Sequence, residues 1–165
     1  MRFWIITSLF FSIINSQAQE LNLSEVRELY IEASFEENKA NKLYKLTKYS
    51  SIESDYKNFT YHAIAILLQS KFTINPINKL KWFIKGKEQL EKVIGLYPND
   101  IELRFLRFCV QDGTPAILDY KHNMKEDSLF ILNNITINSD ELQQFIMPIF
   151  EKLNDGRTSY TSRQK

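Results

Sequence analysis

Arg104, Arg107 and Gln111 are the residues whose types and spacing most suggest chemistry. At i, i+3 and i+7 they fall within about 60° on one helix face. Two planar guanidinium forks in line with an amide could clamp a carboxylate or a phosphate. They could equally be structural. Ile101, Leu103, Phe105, Leu106, Phe108, Cys109 and Val110 occupy most of the rest of the circumference. A helix apolar nearly all round is buried, and a buried charge must find a partner. Asp119, Glu126 and Asp127, in the next segment downstream, are candidate partners. The strip is thus either a pair of internal ion pairs or an anion-binding groove. Lys81 and Lys85 are further binding candidates, on a basic stretch.

Other reactive side chains form no constellation. His62 and His122 are 60 residues apart and fit no metal-ligand spacing. The first reads as a half-buried helix histidine, the second as loop surface. Cys109 is the single cysteine, so no internal disulfide forms; its apolar neighbours mark it as a small buried hydrophobe. Trp82 reads as rim packing. Nucleophile elbow, phosphate-binding glycine loop and paired-cysteine motifs are all missing from the sequence. No catalytic residue, metal or cofactor is assigned, and the expectation is a non-enzymatic protein.

The residues around these candidates predict helix after helix. Val26, Leu29, Tyr30 and Ala33 follow Ser24, a good N-cap. Ala40, Leu43 and Leu46 mark a second helix. A third, capped by Ser54 or Asp55, carries Tyr56, Phe59, Ala63, Ile66, Leu67 and Ser70, and Asn75-Pro76 ends it. The fourth, from about Asn78 to Leu96, puts Phe83, Gly86, Leu90, Val93, Ile94 and Tyr97 on one face. Pro98-Asn99-Asp100 stops it and caps the arginine helix. Gly113-Thr114-Pro115 is a stop followed by a start, with a short helix through Tyr120. Asn123 caps a helix with Leu129, Leu132 and Ile135 inside. Ser139 caps the last, which Pro148 should kink or split. The fold class is therefore all-α: seven or eight short helices in antiparallel pairs. Residues 19–153 form one domain, and 154–165 a flexible tail.

Upstream lies a different pattern. Arg2 precedes an apolar run from Phe3 to Ile14, and Ser16-Gln17-Ala18 closes it. A charged start, an apolar middle and a small-x-small exit make a secretory signal over residues 1–18. The apolar run's length of 12 residues, broken by Thr7, Ser8 and Ser12, falls short of the roughly 20 that span a bilayer. Without a cysteine near the exit the protein is not expected to be a lipoprotein; periplasm or extracellular space is its expected location. Loss of Arg2 leaves 20 basic and 20 acidic side chains. A neutral mature chain makes no case for nucleic acid. Charge is nevertheless uneven: residues 20–37 hold six acids and one arginine, residues 71–92 six lysines and two glutamates. These read as solvated faces, or as a basic surface for an acidic partner.

Two resemblances follow. Gly86, Leu90 and Pro98 have the spacing of the second helix of a tetratricopeptide repeat, and Phe59-x-x-His62-Ala63-x-x-Ile66 echoes its first. Val93 stands where the repeat has a small residue, and no second copy follows. The resemblance implies a tetratricopeptide-like array of helical hairpins. Asn75-Pro76 with Lys79 to Lys87, Arg104 to Gln111, and the Ser16-Gln17-Ala18-Gln19 exit resemble small exported helical proteins of Bacteroidota. That resemblance implies location and fold, and no particular chemistry. The two together imply a scaffold or binding module for a peptide or protein partner in the cell envelope. The alternative is a binder of a small anionic ligand, possibly with catalysis, at Arg104, Arg107 and Gln111. Intact-mass measurement of protein from the native host checks export: the mature species should begin at Gln19, and a soluble cytoplasmic species retaining residues 1–18 would contradict it.

Overall fold

A computed structural model describes residues 21–162, with side chains through Asn154. The signal reading and the start of the proposed domain therefore lie outside the described residues. The chain folds as α1 (Leu23–Ala33), α2 (Glu37–Thr47), α3 (Ile52–Phe72), α4 (Pro76–Leu96), α5 (Ile101–Gly113), α6 (Met124–Asn134) and α7 (Asp140–Ser162), with single 3-10 turns at Ala116–Leu118 and Ile135–Ile137. There is no strand among the described residues, so the chain is all-helical as its periodicity predicts. None of these helices is long and apolar enough to cross a membrane.

Local chemistry sets the boundaries. Asn22, rather than Ser24, caps α1 by accepting the Ser24 amide at 3.0 Å. Ser51 starts α3, but Asp55 is non-helical, and its carboxylate accepts the Asn58 amide at 3.0 Å. Asp55 thus caps the main body of the helix after one preliminary turn. Asn75-Pro76 starts α4 as well as ending α3. Asn75 accepts the Ile77 and Asn78 amides, and Pro76 takes the first turn, where its missing N–H costs nothing. Asp100 caps α5 through the Glu102 and Leu103 amides.

Three expectations fail for identifiable reasons. The helix expected after Thr114 is one 3-10 turn, closed by Asp119 in the left-handed region at φ 44°. In α6, Leu129 and Leu132 are exposed, while Asp127, Ile131 and Ile135 are buried. An acid heads the true i, i+4, i+8 stripe and disguised it. Helix α7 runs unbroken across Pro148, from Asp140 to Ser162. Leu46 is also outside, and Thr47 inside, with its hydroxyl donating to the Leu43 carbonyl.

Helices α3 and α5 are the two centres of packing. Helix α3 touches α1, α2, α4 and α5; α5 touches α3, α4, α6 and α7. Tyr61, Ile64 and Ala65 from one, and Leu103, Phe105, Leu106 and Phe108 from the other, are fully buried in a single core. Three residues join α3 to α4, and the two lie antiparallel with Gly86 against Ala63 and Leu67. A Cβ on Gly86 would sit 2.6 Å from Leu67 Cγ, 2.9 Å from the Leu67 nitrogen and 3.0 Å from the Ala63 oxygen. Two of these are backbone atoms and cannot rotate away. Gly95, on the same helix, has nothing within 4 Å of that position.

The two glycines predict opposite signs. Alanine in a helix is ordinarily worth ~1 kcal/mol over glycine. Gly95→Ala should raise unfolding stability by up to about that amount, whereas Gly86→Ala should lower it by ~1–3 kcal/mol through overpacking. Urea unfolding of both variants checks this, and stabilisation by Gly86→Ala would contradict the close approach.

Candidate functional site

The arginine strip on α5 is closed by carboxylates. Arg107 is 5% exposed, and Asp127 at the start of α6 is fully buried. Arg107 Nε donates to Asp127 Oδ2 and Nη2 to Oδ1, both at 2.7 Å, in a bidentate fork. Its Nη1 donates to Glu91 Oε2 on α4 at 2.9 Å. Tyr120 donates its hydroxyl to the other oxygen of Glu91. Arg104 donates Nη1 to Asp127 at 2.9 Å and to the exposed Glu126 at 2.6 Å, and Nε to the Pro98 carbonyl at 2.7 Å. Its guanidinium also lies 4.9 Å from the centre of the Phe130 ring. Gln111 is wholly buried, and its Nε2 reaches Asn123 Oδ1 at 3.3 Å. Asp119, the third acid considered, does not join; Glu91, from upstream, does. Burial alone would lower the Arg107 pKa, but the Asp127 and Glu91 charges outweigh it and the net shift is upward.

A second network, missed from the sequence, ties the other side of α5. Glu102 has no exposed surface. Its Oε1 accepts from Arg27 Nε at 2.8 Å and from the Tyr61 hydroxyl at 2.7 Å. Its Oε2 accepts from Arg27 Nη2 and Lys57 Nζ, each at 2.9 Å. Four donors fill the roughly four lone-pair sites of a carboxylate. Arg27 continues to Glu141 on α7, and Lys57 to Asp100. Burial pushes the Glu102 carboxyl up, but Arg27, Lys57 and Tyr61 together hold it below the ordinary range. The signal was present: the argument that buries Arg104 and Arg107 buries Glu102 as well, and Arg27 is the one base beside three acids on a core-facing helix.

Lys81 and Lys85 stay apart from these networks. They are exposed on α4, beside Trp82 and Asn78, around a shallow hollow of about 390 Å³. Lys85 lies over the Trp82 ring at 5.8 Å, and Trp82 packs edge-on against Tyr44. Half-buried His62 accepts or donates at Thr47 Oγ1, and burial with the nearby Lys85 charge lowers its pKa. His122 is exposed. Among the described residues no group of three or more His, Cys, Asp or Glu side chains is placed to hold a metal.

The space for a ligand lies elsewhere. A groove of about 670 Å³ opens where the end of α1, the α3–α4 hairpin, the last turns of α5 and the Ala116–Leu118 turn meet. Tyr30, Ile64, Leu67 and Phe83 are its buried floor; Leu80 and Ile117, 46% and 90% exposed, stand at its rim. Among the described residues, Lys71 and Lys79 are the only charged ones lining it. Cys109 faces it half-exposed, not buried as expected, because α5 is covered by α6 and α7 on other faces. The sequence hint was the apolar set Ile77, Leu80 and Ile84, at i, i+3 and i+7 on a second face of α4.

Removing one partner from a buried pair leaves an uncompensated charge, at ~3–5 kcal/mol. Arg107→Met should cost about that much, and adding Asp127→Leu should recover a large part of it. Glu102 predicts an acid limb. A carboxyl depressed in the folded state contributes stability above its unfolded pKa, and loses it as pH falls through the folded value. Unfolding stability should therefore decline below about pH 4.5, and Glu102→Gln, though less stable at neutral pH, should decline less steeply. An unchanged acid slope in that variant would contradict the assignment.

No known protein family, curated protein or solved structure matches this chain.

Proposed function

We propose that this chain is an exported, non-enzymatic binding module that receives a segment of a peptide or protein partner in the cell envelope. The groove between α1, α3, α4 and α5 is the binding site, and its apolar, outward-open lining is the observation that carries the reading. Ligand sites are concave, mostly apolar, and carry a few placed polar groups. The rim residues Leu80 and Ile117 are large, apolar and exposed. The antiparallel α3–α4 hairpin, with Gly86 drawn against the backbone of α3, supports the finer view of a tetratricopeptide-like unit.

Buried, saturated carboxylates support a non-enzymatic role. Glu102 holds four donors, so none of its oxygens is free to take a substrate proton. A small anion at Arg104, Arg107 and Gln111 would have to displace Asp127 and Glu91 from the arginine forks. That competition favours the groove over the anion strip.

Selection of a random 16-residue peptide library on the immobilised full chain tests the reading. Enriched peptides should bind saturably and lose binding to an Ile117→Glu variant that keeps the wild-type unfolding midpoint. Peptides that bind both proteins equally, or no enrichment at all, would reject the groove as the site.

A further inference from the structure

Charge along the groove is one-sided. Among the described residues, Lys71 and Lys79 line it and no acid does. Lys71 is held in place, its Nζ donating to the Ser34 carbonyl at 2.6 Å and lying near the Phe35 and Phe72 rings. Lys79 has no ion-pair partner among the described residues. Exposed apolar surface also continues past the groove. Ile77, Leu80 and Ile84 are 65%, 46% and 45% exposed and share one face of α4. At 1.5 Å per residue this ridge is about 10 Å long, or two turns of an opposing helix.

The groove offers a ligand almost no hydrogen bonds. Ser34, Ser70 and Thr114 line it, but each hydroxyl donates back to a carbonyl of its own helix: Tyr30, Leu67 and Val110 respectively. No strand edge is present among the described residues, so an extended peptide would find no ladder to join. A bound segment must then satisfy its own backbone, as a helix does.

Resting on the groove as binding site, we infer that its partner is an amphipathic α-helix with an apolar stripe flanked by acids. The stripe lies on Leu80, Ile117 and the floor; the acids face Lys71 and Lys79. Both requirements come from the same surface: two turns of exposed ridge and a rim of one sign. A single-chain fatty anion satisfies the charge but leaves the ridge from Ile77 to Ile84 uncovered.

The probe is a fluorescein-labelled, end-blocked 16-residue peptide with leucines at helical spacing and glutamates on the flanks, read by anisotropy with the full chain. A matched peptide carries lysines in place of the glutamates. The glutamate peptide should bind one-to-one and about tenfold tighter than its counterpart, from two exposed contacts each worth up to ~1 kcal/mol. The double variant Lys71→Glu/Lys79→Glu should invert that order, and Ile117→Glu should abolish binding, with circular dichroism and unfolding midpoints near wild type in both. Equal or tighter binding of the lysine peptide would overturn the inference. So would one-to-one binding of laurate at a groove that refuses both peptides, or a dimer dissolved by Ile117→Glu. Library peptides that need the groove but carry no acids would sink the acidic helix and leave the groove reading intact. Failure of every peptide, selected or designed, removes both.

Discussion

Helix α5 must be buried, and it carries charge. Leu103, Phe105, Leu106 and Phe108 leave it no face that belongs in water, yet Glu102, Arg104 and Arg107 sit among them. Desolvating an ion costs several kcal/mol, and only a close partner with good geometry offsets it. The helices around α5 therefore have to deliver charged or hydrogen-bonding partners to defined places. Helix α1 brings Arg27, α3 brings Lys57 and Tyr61, α4 brings Glu91, and α6 brings Asp127. The arrangement of the bundle around α5 follows from that demand as much as from apolar area.

Such pairs are weak evidence for net stability, since an apolar replacement of similar shape is often as stable. Their consequence is discrimination among packings. An α6 turned to bury Leu129 and Leu132, both apolar and both exposed here, would satisfy the hydrophobic effect and leave Asp127 outside and Arg107 unpaired. Likewise α1 could bury its stripe in other rotations, but only one places the Arg27 fork on Glu102 across 75 residues of sequence. The same closure places Asp127 across the Arg107 fork. The groove, by contrast, has two lysines, back-bonded hydroxyls and exposed leucine and isoleucine at its edge. The ions inside the bundle are paired, whereas Lys71 and Lys79 at the groove have no ion pair among the described residues.

Much of this was legible from residue pattern. The stripes of α1 and α4, the caps at Asp55, Asp100 and Ser139, and the pairing of Arg107 with the Asp119–Asp127 segment follow from periodicity, capping chemistry and the cost of buried charge. What stayed hidden was tertiary. Glu102 looks like an ordinary first-turn acid until α1 and α3 are known to converge on it. The α6 stripe was misread because a polar residue leads it. Cys109 reads as buried from its apolar neighbours, since sequence cannot show that one side of α5 opens on a groove. The groove itself draws on α1, α3, α4, α5 and a 3-10 turn, and no local window contains it.

Native-state hydrogen exchange on the full chain tests most directly whether α5 is the tied centre of the fold. Amides of Leu103 to Val110 should exchange only through global unfolding, with the same denaturant dependence as the middle of α3, while those of the Ala116–Leu118 turn at the groove exchange through local opening. Exchange of the α5 amides by local fluctuation, at free energies well below that of global unfolding, would contradict the account.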